Sequence, residues 1–314
     1  PAGMTINPAT GAISWTPTEA QGPGNYPVIS RVTDNGSPNL SATRTFNVQV
    51  NEVNAAPSGS NNTVATNEDA GLTVSTTAFG FSDPNDSPSN SLAAVVVTTL
   101  PSAGALRNNG VAVAVGQAVS AADIAAGGLV FTPAANASGA PYASFTFQVQ
   151  DNGGTANGGS DLDQSPNTVT VNVTSVNDAP AGTNGSVSTN EDAAYTFAVA
   201  DFGFSDSNDS PANSLAAVKF TTLPAAGSLT DNGAAVGVNQ FVSAADISLG
   251  KLKFTPAANA SGSPYASFTF QVQDDGGTAS GGVNLDQSPN TVTISVTPVN
   301  DAPGFTKGAD QNVS

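Results

Sequence analysis

Acidic residues recur along the chain in pairs separated by a constant offset. Glu68 has a counterpart in Glu191 and Asp83 in Asp206, and both pairs are 123 positions apart (191 − 68 and 206 − 83). Two carboxylates about 4 Å apart repel by roughly 4 kcal/mol at an effective dielectric near 20, and no lysine or arginine lies close in sequence to neutralise them. Calcium accepts about 6–8 oxygen ligands from carboxylates, amides and backbone carbonyls. The pattern therefore indicates cation binding, with Ca²⁺ as the predicted cofactor.

The candidate metal ligands are acidic and asparagine residues at predicted strand ends and in predicted linkers. They are Glu52, Asn54, Glu68, Asp69, Asp83, Asp86, Asp151, Asp163, Asn177, Asp178, Glu191, Asp192, Asp206, Asp209, Asp274, Asp286, Asn300 and Asp301. Aspartate and asparagine beside glycine and proline also form turns through local hydrogen bonds. Turn chemistry is therefore the alternative interpretation for each of them.

Comparing the two copies shows which acidic positions are retained in both and which are not. Asp161 is replaced by Asn284 in the second copy, and Asn152 is replaced by Asp275. The candidates that match between the copies are the better metal ligands, although most other positions match as well.

Composition excludes several classes of function. The chain has a formal charge of −17, seven basic residues, no cysteine and no histidine. Disulfides, thiol nucleophiles, zinc sites built from cysteine or histidine, and histidine-based triads are excluded. Nucleic acid and anionic membranes are poor partners for such a chain, and no apolar stretch approaches the about 18 residues of a membrane span.

We expect a non-enzymatic protein, because an acidic catalytic pair needs a cleft. This composition is typical of exported bacterial surface proteins, which predicts an extracellular location.

Whole segments are duplicated at the same offset. The sequence Asn-Glu-Asp-Ala occurs at 67–70 and 190–193, and Asn-Asp-Ala-Pro occurs at 177–180 and 300–303. A period this long is a whole domain rather than a solenoid turn of about 20–50 residues. The predicted divisions are the C-terminal part of a truncated domain at 1–57, full domains at 58–180 and 181–303, and the first strand of a further domain at 304–314.

Alternating apolar residues and turn signals predict the strands of one unit. A helical turn capped by Ser120 is also expected. The predicted strands are 63–66, 72–79, 93–100, 111–115, 129–132, 143–150 and 167–174. About seven short antiparallel strands in one unit indicate an all-β fold of Greek-key β-sandwiches. The predicted core contains Phe79, Phe81, Phe131, Tyr142, Phe145 and Phe147.

Two stretches resemble known repeats. Val32–Pro57 resembles the last two strands and linker of a cadherin-like repeat of the bacterial dystroglycan type, and the full units resemble cadherin-like repeats of bacterial adhesins. Asp123-Ile and Gly128-Leu-Val-Phe are also similar to proteoglycan-type repeats. The resemblance implies immunoglobulin-like sandwiches arranged end to end as a rod, with calcium at the junctions. The linkers depart from the cadherin pattern Asp-x-Asn-Asp-Asn-x-Pro, so the three-ion set of cadherins is not carried over.

Strand length predicts where the candidate ligands meet. Pro57 and Glu68 are eleven residues apart (68 − 57), which at about 3.3 Å each spans the roughly 35 Å of a small sandwich. Glu68 is therefore expected at the exit pole, where the chain leaves the domain, and Asp83, Asp86 and the loop after Asp151 at the entry pole. At the junction of the full units, the residues expected to converge are Glu68, Asp69, Asn177, Asp178, Asp206, Asp209, Asp274 and Asp286.

These features predict a calcium-stiffened spacer or adhesive fibre whose partners are neighbouring repeats. One alternative is a filament subunit, in which residues 304–314 complete residues 1–57 of a neighbour by strand donation. Another alternative is recognition of surface glycans or proteins by the sandwich faces.

Overall fold

The computed structural model describes residues 1–309. The chain divides into two compact units, Pro1–Thr174 and Ser175–Ser314. Both are built from β-strands with a few short helical turns, so the predicted all-β fold is confirmed. No helix in the described residues is long and apolar enough to cross a membrane.

The N-terminal segment, residues 1–50, forms two hairpins. The strands are β1 Thr5–Ile6, β2 Ile13–Ser14, β3 Gly24–Thr33 and β4 Ser41–Val50. β1 pairs with β2 and β3 with β4, both antiparallel. A short 3-10 helix, Glu19–Gln21, precedes β3. Trp15 packs edge-on against Tyr26 with ring centroids 5.0 Å apart.

The first full repeat is a sandwich of two sheets. Its elements are β5 Asn62–Asn67, β6 Leu72–Thr73, β7 Leu92–Val97, β8 Ala105–Asn108, β9 Val111–Ala112, β10 Ala118–Ser120, α1 Ala121–Ala125, β11 Leu129–Thr132, β12 Gly139–Asp151 and β13 Asn167–Thr174. One sheet has the order β10-β7-β12-β13-β5 and the other β6-β11-β8-β9. The Ser120 hydroxyl accepts the Asp123 N–H at 3.0 Å, which is the predicted cap of α1.

The second full repeat has the same layout. Its elements are β14 Gly185–Asn190, β15 Tyr195–Thr196, β16 Leu215–Phe220, β17 Ser228–Asp231, β18 Ala234–Ala235, β19 Phe241–Ser243, α2 Ala244–Ser248, β20 Leu252–Thr255, β21 Gly262–Asp274 and β22 Asn290–Thr297. The sheet orders are β14-β22-β21-β16-β19 and β15-β20-β17-β18.

Each sandwich is filled by alternating apolar residues of its long strands. In β12 and β13, every second side chain is buried, including Phe145, Phe147 and Val171. Such alternation directs one face of a strand into the core and leaves the other to solvent. Of the predicted core residues, Phe79, Phe131, Phe145 and Phe147 are fully buried, whereas Phe81 and Tyr142 pack at the margin of the core.

The structure corrects parts of the strand prediction. The predicted strand 72–79 contains only the two residues of β6, followed by a 3-10 helix at Thr76–Phe79. That helix ends at Gly80, whose φ of +55° favours glycine and where a Cβ would overlap the Ser60 hydroxyl. β8 and β10 were not predicted, because these short strands lack the run of β-branched and aromatic residues that marks the equally short β11.

The first and last strands of each repeat pair in parallel, unlike the other pairs. β5 lies alongside β13, and β14 lies alongside β22. Both members of each pair run from the entry pole to the exit pole, which is the direction that the sequence predicted for them. The remaining named pairs are antiparallel.

The predicted strand at 304–314 falls partly outside the described residues. Residues 304–309 carry no regular secondary structure and are exposed. Residues 310–314 lie beyond the part of the chain that the structure describes.

Truncation of a core aromatic ring should destabilise the first repeat. Phe147 is fully buried and packs edge-on against Phe79, with ring centroids 4.8 Å apart. We expect Phe147→Ala to lower the free energy of unfolding by about 3–5 kcal/mol, measured by urea unfolding. Ser144→Ala, an exposed position of the same strand, is the control and should change it by less than about 0.5 kcal/mol. Equal effects of the two substitutions would contradict this core assignment.

Candidate metal centre

Three buried aspartates meet at the entry pole of the first full repeat. Asp83 and Asp86 lie in the loop that leads to β7, and Asp151 is the last residue of β12. Their exposed fractions are 6%, 5% and 2%. One carboxylate oxygen from each lies within 4.8 Å of those of the other two. We call Asp83, Asp86 and Asp151 the entry cluster.

The preceding linker is held against the entry cluster by hydrogen bonds. Asn54 is buried, and its Nδ2 donates to Asp151 Oδ1 at 3.0 Å. The Ala55 N–H donates to Asp86 Oδ1 at 2.9 Å. Asn90 donates its backbone N–H to Asp83 Oδ2 at 2.5 Å and its side-chain Nδ2 to Asn54 Oδ1. The structure therefore brings the linker candidate Asn54 together with three predicted ligands of the repeat.

Two oxygens of the entry cluster are buried without a hydrogen-bond donor. Among residues 1–309, nothing donates to Asp83 Oδ1 or to Asp151 Oδ2. A buried acceptor left unsatisfied costs about 1–3 kcal/mol, and more when it is charged. Burial raises the pKa of Asp83 above its usual value, with a further contribution from Asp86 and Asp151 and a partial offset from the Asn90 N–H. The free oxygens and the mutual repulsion are what a bound cation would relieve.

A second acidic group shares Asp86 with the entry cluster. Glu19, Glu52 and Asp86 each place one oxygen within 4.8 Å of the others. Glu52 Oε2 is buried and has no hydrogen-bond partner in the described residues. Burial raises the pKa of Glu52, followed by the effects of Glu19 and Asp86. Because this group contains Glu19, it places a carboxylate of the N-terminal segment close to one of the repeat.

Sequence reasoning missed Glu19 and Asn90. Glu19 lies outside the duplicated segment, so no second copy marks it. Asn90 has a counterpart at Asn213 (213 − 90 = 123), and this retained pair was the available signal. Asn213 makes the same contact in the second repeat, where its N–H donates to Asp206 Oδ2 at 2.5 Å.

The second repeat builds a similar pole from its own linker. Asn177 Nδ2 donates to Asp274 Oδ1 at 3.1 Å, and the Asp178 N–H donates to Asp209 Oδ2 at the same distance. Asp206, Asp209 and Asp274 are all buried. Asp206 Oδ1 has no donor among the described residues.

At this second pole, as at the first, burial raises the pKa of the aspartates. Burial raises the pKa of Asp209 to about 6, with further contributions from Asp206 and Asp178. Burial also raises the pKa of Asp274, followed in part by the effects of Asp206 and Asp275, while donors from Gly276 and Asn177 oppose the shift. Both poles therefore hold carboxylates that resist ionisation.

Asp163 and Asp286 form turns at the entry poles and lie outside the entry cluster. Asp163 Oδ2 accepts from the Gly59 N–H and from Asn167 Nδ2, both at 2.8 Å. Its Oδ1 accepts from the Ser165 N–H at 3.1 Å. Asp286 makes the equivalent bonds. Because both carboxylate oxygens already have donors, the turn interpretation fits these two aspartates.

Asp69 and Asp192 also have a local role. Both are exposed and adopt positive φ, at +56° and +59°. Each accepts a backbone N–H at 3.1 Å, from Asn136 and Asn259 respectively. These carboxylates stabilise turns at the exit poles of their own repeats.

Glu68 and Glu191 lie at the exit poles. The Glu68 N–H bonds to Thr174 O at 2.9 Å, next to the end of the last strand. Glu191 Oε1 accepts the Val299 N–H at 2.6 Å, beside the exposed Asn300 and Asp301. The predicted meeting of Glu68 and Asp69 with the ligands of the following repeat stays a prediction.

Two family matches cover parts of the chain. Residues 1–51 match the family described as a putative Ig domain, and residues 177–286 match the bacterial Ig domain family. None of the curated proteins matches the chain significantly.

Several solved structures of cadherin repeats are similar to the chain at low identity. The protocadherin gammaB4 extracellular domain is 17% identical over 94% of this chain and 44% of its own, with a TM-score of 0.43. The protocadherin gammaB7 EC3-6 cis-dimer structure is 16% identical over 94% and 65%, with a TM-score of 0.46. Mouse protocadherin-24 EC1-3 is 13% identical over 94% and 87%, with a TM-score of 0.48. The chain thus spans less than two thirds of the first two structures.

The raised pKa of Asp209 should give the metal-free protein an unusual pH dependence. The folded pKa of about 6 exceeds the ordinary value of 3.8, so the folded state binds this proton more tightly than the unfolded state. Its contribution to stability is complete below the unfolded pKa and is lost as the pH rises through about 6. We expect Asp209→Asn to flatten this part of the profile, measured by calorimetric unfolding in metal-free buffers across that window. An unchanged slope in the variant would contradict the assignment.

Proposed function

We propose that this chain, whose residues 1–51 and 177–286 match immunoglobulin-like domain families, is a calcium-stiffened spacer segment of a bacterial surface adhesin built from tandem cadherin-like domains. Domains of this class are generally non-enzymatic and belong to surface or extracellular proteins. The observation that carries the proposal is the buried entry cluster with two oxygens that lack donors.

The ligand set suits calcium better than other common cations. The entry cluster and Asn54 offer oxygens from carboxylates and an amide, and the chain has neither cysteine nor histidine. Calcium accepts such oxygens in a flexible geometry, whereas magnesium demands a tighter octahedron and retains water. Asp83, Asp86 and Asp151 would hold the ion, with the Asn54 amide beside them.

A second ion is proposed for the group that shares Asp86. Glu19 and Glu52 supply carboxylates on the side of the N-terminal segment, and Asp86 supplies one from the repeat. With an ion bound, these three residues would attract one common charge instead of repelling one another. The pair of ions would therefore stiffen the connection between the N-terminal segment and the first repeat.

An equivalent calcium site is proposed for the second repeat. Asp206, Asp209 and Asp274 occupy positions equivalent to the entry cluster, and Asn177 is equivalent to Asn54 (177 − 54 = 123). The two linkers differ at one equivalent position: the second has Asp178 where the first has Ala55, so only the second carries a carboxylate there.

Calcium should stabilise the chain, and removal of one ligand should have opposite effects with and without the ion. We expect millimolar calcium to raise the unfolding midpoint by several degrees, because a ligand that binds the folded state alone stabilises it. Asp83→Asn should weaken calcium binding at least about tenfold, measured by titration calorimetry. In metal-free protein the same substitution should raise the midpoint, because it removes a buried like charge.

Asp161→Asn is the matched control. Asp161 lies in a nearby loop, bonds to Gln150 and has Asn284 at the equivalent position of the second repeat. It should leave calcium binding unchanged although it removes the same charge. If calcium shifts neither the midpoint nor the titration signal of the parent chain, the proposal fails. A loss of stability for Asp83→Asn in both conditions would instead indicate a structural role.

A further inference from the structure

A polar cleft lies beside the linker of the first compact unit. It has a volume of about 540 Å³ and is formed by the end of the β3–β4 hairpin and by the loop 153–157. This volume falls within the roughly 300–1,000 Å³ of ordinary small-molecule sites. The cleft is therefore large enough for a ligand of one or two sugar rings.

Amide side chains are the main chemical groups of the cleft. Asn25 and Gln49 are cross-strand partners in the hairpin, so their side chains lie on the same face. Asn51 follows the end of β4 directly and also lines the cleft. Asn157, from the loop of the repeat, lines the opposite side. Register therefore places two amides side by side on the wall of the cleft, and Asn51 adds a third amide to the same wall.

The amides of this row have unused hydrogen-bonding capacity. Within residues 1–309, the side chains of Asn25, Gln49 and Asn51 make no hydrogen bond to the protein. Each amide carries two donors and one acceptor oxygen. Asparagine is depleted in strands, and these amides serve neither a turn nor a cap. They differ in this respect from Asn54 and Asn90, whose amides hold the linker.

The charge of the cleft limits the ligands that fit. Glu52 is its only charged lining residue, and no lysine or arginine lines it. Sulfated, phosphorylated or sialylated ligands would meet repulsion there. The lining also lacks tryptophan, tyrosine and arginine, which dominate the anchor sites of protein interfaces. Pro23 and Val50 add a small apolar surface.

We propose that this cleft binds a neutral saccharide. A sugar hydroxyl is both a donor and an acceptor, and so is an amide, so adjacent hydroxyls can pair with the amides of Asn25, Gln49 and Asn51. The contacts do not require the Glu52 carboxylate, which the proposed second ion would engage, and an uncharged sugar is not repelled by it. This binding would give the first compact unit a recognition function that is separate from calcium stiffening.

The test uses the whole 314-residue chain in calcium and a panel of neutral disaccharides: maltose, cellobiose, lactose and mannobiose. Binding is measured by saturation-transfer NMR and titration calorimetry, with sialyllactose as the charged probe. We expect at least one neutral disaccharide to bind more tightly than sialyllactose. The double variant Asn25→Ala/Gln49→Ala should weaken that binding by about 25-fold, because each of the two lost hydrogen bonds contributes roughly fivefold.

Asn47→Ala is the matched control. Asn47 is exposed on the same face of β4, two residues before Gln49, but does not line the cleft. It should leave affinity unchanged, and all variants should keep the parent unfolding midpoint and calcium response. The proposal is overturned if no neutral disaccharide binds, if the double variant binds as tightly as the parent, or if sialyllactose binds more tightly. Since calcium binding has its own readout, either proposal can fail without the other.

Discussion

Repulsion among buried carboxylates is the constraint on which the junction structure depends. Asp83, Asp86 and Asp151 are nearly inaccessible to solvent, and the ion pair between Lys251 and Asp246 lies elsewhere. An isolated buried carboxylate is costly, so it either takes up a proton or binds a cation. The raised pKa values of Asp83 and Asp209 reflect the first response. Protons and a cation compete for the same oxygens, because metal ligands must be ionised.

The directions of the strands explain why these acids meet a linker. The parallel pairing of the first and last strands carries the chain from one pole of the sandwich to the other. Each repeat is therefore entered at one pole and left at the other, and the linker that enters it lies beside the end of β12 or β21. Ser58 bridges to Ser82, and Ala181 bridges to Ser205, which fixes each arriving linker one residue from Asp83 or Asp206. Backbone pairing alone thus places Asp83 and Asp206 beside their linkers.

The sequence predicted the repeat, the sandwich and the poles, because a constant offset and the alternation of long strands are visible in one chain. It could not separate Asp83 from Asp163, since both are aspartates in turn-forming segments. The difference arises from the surrounding donors: Gly59, Ser165 and Asn167 saturate Asp163, whereas Asn90 reaches one oxygen of Asp83. Glu19 escaped for another reason, because its proximity to Glu52 depends on hairpin packing that has no second copy in the sequence.

Glycine at 153 and 276 shows how closely each linker is attached to its repeat. Neither residue has a positive φ, so backbone conformation does not require glycine there. A Cβ at either position would overlap the linker amide, Asn54 at the first pole and Asn177 at the second. These amides bond to Asp151 and Asp274 without an ion. Neutral amide contacts therefore set the direction in which each linker enters its repeat. The charge state of the surrounding carboxylates then determines how strongly that arrangement is held, so a cation would act on a junction that is already oriented.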